Sequence, residues 1–474
     1  MTGTEKGVTF LLVSNIIFFS LTYIISIYLA RFGLSQAEFG QYNVVISFVL
    51  IFSTILVTAT QQVSAKLIAE KGKRIAHKFF VYIFLTNLLF VAVLFLLSGQ
   101  VALILNDISL TPYIQIASII IATSSIYALV LGEFNGLKKY KHQSIITIIH
   151  QSAKLSGIIL FVGFGLKVYG AILGYIFSAV ISSAAGLWMA RKKVESFEPN
   201  LKLFYQMVMV ISVSLLFNNI LISMDLLMLK ALSPNSISSS LAGVYSASGT
   251  LSRMMLIFAT TFATILIPII ANKKEQQGKT FFYLKNSSRY LLLVTAPILA
   301  VLLLDPKTVI TLFYSQSYAS GWTALAILST GIFFYGFFQL FSSAFIALGK
   351  EKILMGISIS MLALSFILNL TLIPLLSIEG AALSTAISIL LGTILAWAIL
   401  SKERNFTFNI ANLKIIICCA IASIFLIIIP LNSWFALIKY GIFLGIYLIL
   451  LILFKATTKV DFLVIKKLLE KKSN

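Results

Sequence analysis

A chain of 474 residues that is 59% hydrophobic and only 11% charged lies outside the soluble norm, in which about a quarter of residues carry charge. Its formal charge of +21 is spread over the loops on one side of the apolar runs, which argues against a nucleic-acid partner and for orientation against anionic headgroups. The two cysteines, Cys418 and Cys419, are adjacent, so they make no disulfide framework or metal-ligand spacing and read as small apolar fillers.

Apolar runs of roughly 20 residues, the length a helix needs to cross about 30 Å of hydrocarbon, recur along the whole chain. They are centred on 8–30, 43–62, 79–98, 112–132, 145–165, 169–190, 204–229, 241–270, 288–304, 322–346, 353–374, 380–400, 412–430 and 435–454. The first exceeds signal-peptide length and lacks a small-residue cleavage pattern, so it is read as a retained helix. The expectation is an all-α polytopic membrane protein of 14 transmembrane helices. Alternate loops carry "KGKR", "KKYK", "RKK", "NKKEQQGK", "KEK" and "KER". The other side holds only Arg31, Lys167, Lys230, Lys307 and Lys439, while Lys154 and Arg253 fall within spans. Both termini are therefore expected in the cytoplasm. The tail "VDFLVIKKLLEKK" reads as a short amphipathic anchor on that surface.

Landmarks also repeat. "FGQYNV" at Gly40 matches "AGVYSA" at Gly243, "NGLKKYK" at Gly136 matches "IALGKEK" at Gly349, and "YGAILGYIFSA" at Gly170 matches "EGAALSTAISI" at Gly380. The displacements are 203, 213 and 210 positions, in the same order. Two copies of six spans each enter from the same side and make a parallel repeat about an axis along the membrane normal, with a cleft expected between them. The polar stretches "GLSQAEFGQYNV" and "SLAGVYSA" are then elbows between the first and second helix of each copy. The division expected is 1–197 and 198–404 for the lobes, 405–456 for two further helices and 457–474 for the tail.

Three stretches, "IYLARFGLSQAEFGQYNVV", "LLLDPKTVITLFYSQSYASG" and "ILNLTLIPLLSIEGAALSTAIS", resemble the polysaccharide and oligosaccharide flippases of the multidrug/oligosaccharidyl-lipid/polysaccharide exporter superfamily. The likeness runs over nearly the whole chain. It implies a V-shaped pair of six-helix lobes with two extra C-terminal helices, acting as a monomer among membrane lipids. It also implies export of a polyprenyl-pyrophosphate-linked oligosaccharide, such as an O-antigen or other polysaccharide repeat unit, to the outer leaflet. The setting implied is a prokaryotic plasma membrane, bacterial or archaeal, beside a polysaccharide polymerase or ligase.

A pyrophosphate and its sugars cannot cross hydrocarbon unaided, so cations are expected at mid-depth. Arg253 lies in the middle of the eighth span, where Arg costs about 2.5–3.5 kcal/mol on insertion scales. Its guanidinium suits phosphate oxygens; the alternative is an ion pair with Asp225. Ser246, Thr250, Thr260 and Thr264 share its helical stripe. Asn43 and Ser47 are the repeat equivalents of Ser246 and Thr250, and Thr54, Thr58 and Gln61 continue the second span. Lys154 in the fifth span is the second candidate cation, with His150 one turn earlier; alternatives are a pair with Glu133 or a snorkelling side chain. Asp225, on a face with Asn218 and Ser214, is read as a coupling-ion site, a partner of Arg253, or an interface residue. Arg31 and Glu38 flank the first elbow, as a pairing outer gate or as solvated residues.

No P-loop, paired catalytic carboxylates or metal cluster is apparent, and no loop is long enough for an ATPase, so an enzyme and a bound cofactor are not expected. The drive expected is an H+ or Na+ gradient, the membrane potential, or removal of product. The rival is a cation-coupled multidrug exporter of the same superfamily, which the uncharged run from Val8 to Ala30 and the two extra helices disfavour. A membrane glycosyltransferase is a more distant alternative.

Overall fold

Hydrocarbon offers no hydrogen-bond partner, so each apolar run satisfies its backbone internally as a helix. The computed structural model describes residues 3–190, 195–271, 277–404, 410–429 and 435–456. The expected tail, 457–474, lies outside the described residues. α1 (Gly3–Tyr28) runs into a π-helical turn (Leu29–Gly33) and is followed by α2 (Gln36–Lys71), α3 (His77–Ile104), α4 (Thr111–Gly136), α5 (Tyr140–Phe161) and α6 (Lys167–Met189). α7 (Leu201–Leu232) precedes α8 (Asn235–Ser252), which passes through a 3-10 turn (Arg253–Met255) into α9 (Leu256–Ala271). α10 (Gln277–Leu304), the short α11 (Pro306–Phe313), α12 (Trp322–Ala347), α13 (Glu351–Arg404), α14 (Ile410–Ile428) and α15 (Phe435–Leu453) follow.

Among the described residues nine continuous segments are long and apolar enough to cross a membrane. Two of them, Tyr140–Met189 and Glu351–Lys402, have 50 and 52 residues. At about 1.5 Å per residue each would extend roughly 75 Å, more than twice the hydrocarbon thickness, so each must break and cross twice. They do so at Lys167 (φ 46, ψ −124) and at Ser377 (φ 53, ψ −123). With α7, α8–α9 and the shorter apolar helix Asn412–Ile428, the order is that of a fourteen-helix membrane protein.

Those two breaks lie 210 positions apart and share one rare backbone conformation, so the repeat is written in dihedral angles as well as in letters. The turn after α4 repeats after α12. Lys138 N donates to Asn135 O at 2.9 Å and Lys139 N to Phe134 O at 2.7 Å; Gly349 N donates to Ile346 O at 3.1 Å and Lys350 N to Phe345 O at 2.8 Å. Both are Schellman caps with a left-handed residue, Lys138 (φ 56) and Gly349 (φ 72). The structural partner of Gly349 is therefore Lys138, two residues beyond the Gly136 that the letters suggest.

The first elbow turns inside its expected stretch, whereas the second turns ahead of its own. The chain turns at Leu34–Ser35, where Ser35 and Glu38 form a reciprocal capping box at the start of α2, and again at Ser233–Pro234 ahead of α8. The motifs around Gly40 and Gly243 thus lie inside helices. They are poor in large apolar residues because α2 and α8 cross there backbone to backbone. A Cβ on Gly40 would strike the carbonyl of Ser239 and come within 2.7 Å of Gly243 N; one on Gly243 would strike the carbonyl of Gln36. Each glycine thus faces the carbonyl four residues before the other, a two-fold relation between equivalent positions of the copies.

By contact the chain divides into two compact units, residues 1–250 with 358–385, and residues 251–357 with 386–474. The first has a core that includes Val63, Ile68, Phe79, Leu129, Phe134 and Phe204. At one end a two-residue parallel pairing of Arg74–Ile75 with Ser196–Phe197 holds the segment before α7, and Arg74 joins the buried Glu133 at 2.6 Å and the Ala190 carbonyl. In the second unit α10 holds the C-terminal helix at three levels. Asp305 pairs with Lys439 at 2.9 Å, Leu293 O accepts from the Tyr447 hydroxyl at 3.0 Å, and Arg289 donates to Ala456 O at 2.7 Å.

Candidate functional site

Three helices of the first unit, α4, α5 and α6, build a layered cluster around Lys154. The hairpin of α5 and α6 sets Tyr175 beside Lys154, whose Nζ lies 3.6 Å from the ring centroid. Among the described residues no carboxylate lies within ion-pair distance of this half-buried ammonium. Glu133, one of its expected partners, is committed to Arg74 instead. One turn before Lys154, His150 is only 5% exposed, stacks on Tyr127 at 4.3 Å and meets the edge of Tyr175 at 6.2 Å. Its Nδ1 lies 3.1 Å from Ser182 Oγ, and that hydroxyl spends its single proton on the Ser178 carbonyl at 2.7 Å. The structure places His150 in the supporting layer rather than on an open wall.

Arg253 occupies the second unit, at the 3-10 turn where α8 passes into α9. It is half-buried. Beyond it, Thr260 turns its hydroxyl back to the Leu256 carbonyl at 2.9 Å. On the preceding turns Ser246 is buried with no hydrogen-bond partner for its hydroxyl among the described residues, and Thr250 donates to the Ser246 carbonyl at 2.8 Å. On α2, Asn43 is half-buried and donates to the Phe39 carbonyl at 2.8 Å, and Ser47, Thr58 and Gln61 are half-buried below it. The side chains of Thr54, Ser214, Asn218 and Thr264 lie outside the described residues.

Asp225 is 2% exposed and accepts from the Tyr245 hydroxyl at 2.6 Å and from Thr385 Oγ1 at 3.1 Å, which ties α7 to α8 and α13 inside the first unit. Tyr245 follows Gly243 by two residues, so the crossing motif itself carries this donor. At the first elbow Glu38 spends one oxygen on Ser35 N at 2.8 Å and the other on Lys167 at 2.8 Å, while Arg31 is exposed beside the Phe32 ring. The elbow acid is thus paired with the lysine that breaks α5 from α6.

A strong polar contact without a local signal in the sequence joins the copies beside the glycine crossing. Lys230, at the end of α7, is fully buried and donates to Asp107 at 2.7 Å and to the hydroxyls of Ser238 and Ser239 at 2.8 Å each. Burial pushes the Asp107 carboxyl up, but Lys230 and Ser109 outweigh it and hold the group below the ordinary carboxylate range. The repeat carries a counterpart for the acid alone, because Lys439 lies on α15, beyond the two copies. Asp305 and Lys439, 198 and 209 positions on, make the same kind of contact in the second unit. Tyr175 had no local signal, because the hairpin alone brings it to Lys154.

The second unit also holds an apolar cavity of about 590 Å³, lined by Leu299, Phe333, Phe337, Trp397, Ile416 and Cys419 among others. Cys418 and Cys419 are both buried and unoxidised. Among the described residues no group of three His, Cys, Asp or Glu side chains gathers as a metal site.

Residues 5–274, more than half of the chain, match the family described as polysaccharide biosynthesis protein. An uncharacterized membrane protein of Methanocaldococcus jannaschii is 24% identical over 351 residues, 68% of this chain and 80% of that one. The fold is similar to that of the lipid II flippase MurJ in an inward closed conformation, with a TM-score of 0.75 and 18% identity over 95% of this chain and 98% of that one. It is also similar to an inward-facing multidrug resistance MATE family transporter of the MOP superfamily, with a TM-score of 0.63 and 13% identity over 82% and 94% of the two chains.

Proposed function

The chain belongs to the polysaccharide biosynthesis protein family, and on that premise we propose that it is a flippase for a polyprenyl-pyrophosphate-linked oligosaccharide. It carries an O-antigen or other polysaccharide repeat unit across a prokaryotic plasma membrane by alternating access, for use by a polymerase or ligase. The basic loops orient it with both termini in the cytoplasm. A coupling H+ or Na+ would find its acid in Asp225.

The observation that carries the reading is Lys154. A buried ammonium is expensive, and proteins ordinarily offset that cost with a carboxylate. Here an aromatic face takes its place, so the charge is held and not cancelled. An ammonium kept in that state suits a ligand that brings its own negative charge. Arg253 supplies a second cation with the planar geometry that phosphate oxygens prefer. The apolar cavity of the second unit has the chemistry for a stretch of prenyl chain. The likeness to MurJ supports a lipid-linked substrate, and the likeness to a MATE transporter keeps cation-coupled export of drugs as the competing activity.

The test is complementation of a flippase-deficient strain by Lys154→Ala, Arg253→Ala and the double variant, with membrane abundance measured alongside. Each single change is expected to reduce delivery of lipid-linked oligosaccharide to the outer leaflet, and the double change to abolish it, at unchanged abundance. Full delivery by the double variant refutes the role of these cations.

A further inference from the structure

We propose that Tyr175 is a positioning residue for headgroup capture, its ring holding the Lys154 ammonium charged and aimed without neutralising it. The inference rests on the reading of Lys154 as a headgroup cation. The ammonium has three N–H donors, and a ring face at 3.6 Å occupies one side of it. The ring is uncharged overall and attracts through its quadrupole, so the remaining donors stay available to phosphate oxygens. A carboxylate in the same place would compete with the incoming anion for the same N–H groups.

The ring is itself held. Tyr175 is half-buried on α6, and the edge contact with His150 fixes one side of it. His150 in turn is clamped by the Tyr127 stack and by its hydrogen bond to Ser182 on α6. The order Tyr127, His150, Tyr175, Lys154 thus runs from a neutral, fully packed layer to the charged group. Serine 182 belongs to the same helix as Tyr175, so α6 supplies both the clamp and the platform. A lysine on the face of a tyrosine gains more as water is withdrawn, and both side chains here are half-buried.

The experiment uses the full chain in proteoliposomes and follows flipping of a fluorescent prenyl-pyrophosphate N-acetylglucosamine. KM and kcat are measured for Tyr175→Phe, Tyr175→Trp, Tyr175→Leu and Lys154→Ala. Phe and Trp are expected to keep KM within about threefold, whereas Leu raises it about tenfold with kcat nearly unchanged, the factor a desolvated cation–π contact commands. A second series keeps the shape of the core constant: phenylalanines of increasing fluorination at position 175 weaken the ring quadrupole, and KM should climb stepwise. A KM indifferent to fluorination, or a Leu variant equal to Phe, overturns the inference while a defective Lys154→Ala leaves the headgroup reading standing. An unimpaired Lys154→Ala removes that reading instead.

Discussion

Two lysines of the first unit, Lys230 buried and Lys154 half-buried, make opposite use of the same functional group. Lys230 is sealed from solvent and meets one carboxylate and two hydroxyls; Lys154 meets a tyrosine face. In Lys230 every N–H has a protein partner, so the charge is spent on joining α7 to the loop after α3. Lys154 keeps donors in reserve. The pairing of the charge, rather than its burial alone, separates Lys230, which holds the fold, from Lys154, the cation proposed for the substrate.

The comparison can be broken most sharply at Lys230. Lys230→Ala leaves Asp107 with an uncompensated charge and is expected to cost about 3–5 kcal/mol. The joint replacement Lys230→Met with Asp107→Asn should recover most of that loss in thermal melting of the detergent-solubilised protein. If the single and joint variants melt alike, the pair is no clamp. A smaller effect is expected at the adjacent crossing. Gly40→Ala and Gly243→Ala each drive a methyl into a facing carbonyl and should cost about 1–3 kcal/mol, with near-equal values because the two sites are related by the repeat. A loss at one site and none at the other would break the pseudo-two-fold relation.

Acid sharpens the same contrast. Asp107 titrates lower in the folded chain than in the unfolded one, so its contribution is complete above the ordinary carboxylate range and disappears as pH falls through the folded value. The melting advantage of wild type over Asp107→Asn should therefore be full at neutral pH and vanish as the carboxyl protonates. At the small end, Lys154→Ala is expected to change stability by less than about 1 kcal/mol, since it leaves no opposite charge stranded.

Much of this architecture was legible in the letters, because apolar runs of bilayer length, one-sided lysines and repeated landmarks are all consequences of the membrane itself. The second elbow was displaced because the polarity around Gly243 records a backbone crossing, and a crossing and a loop both remove large apolar side chains. Lys154 was visible as a cation out of place in an apolar run. Its platform was not, since Tyr175 is 21 residues away and only the α5–α6 hairpin brings the two together. Lys230 was readable only as an outer-side charge, because its partner Asp107 is 123 positions away and only the fold brings the two together.

The central claim is that Lys154 is a cation kept for the substrate. Its most direct test is equilibrium binding of the prenyl-pyrophosphate N-acetylglucosamine to the purified full chain, wild type against Lys154→Ala, with both proteins shown to melt at the same temperature. The account predicts affinity weakened at least tenfold at unchanged stability. Equal affinity, or a loss of affinity that merely follows a loss of fold, would contradict it.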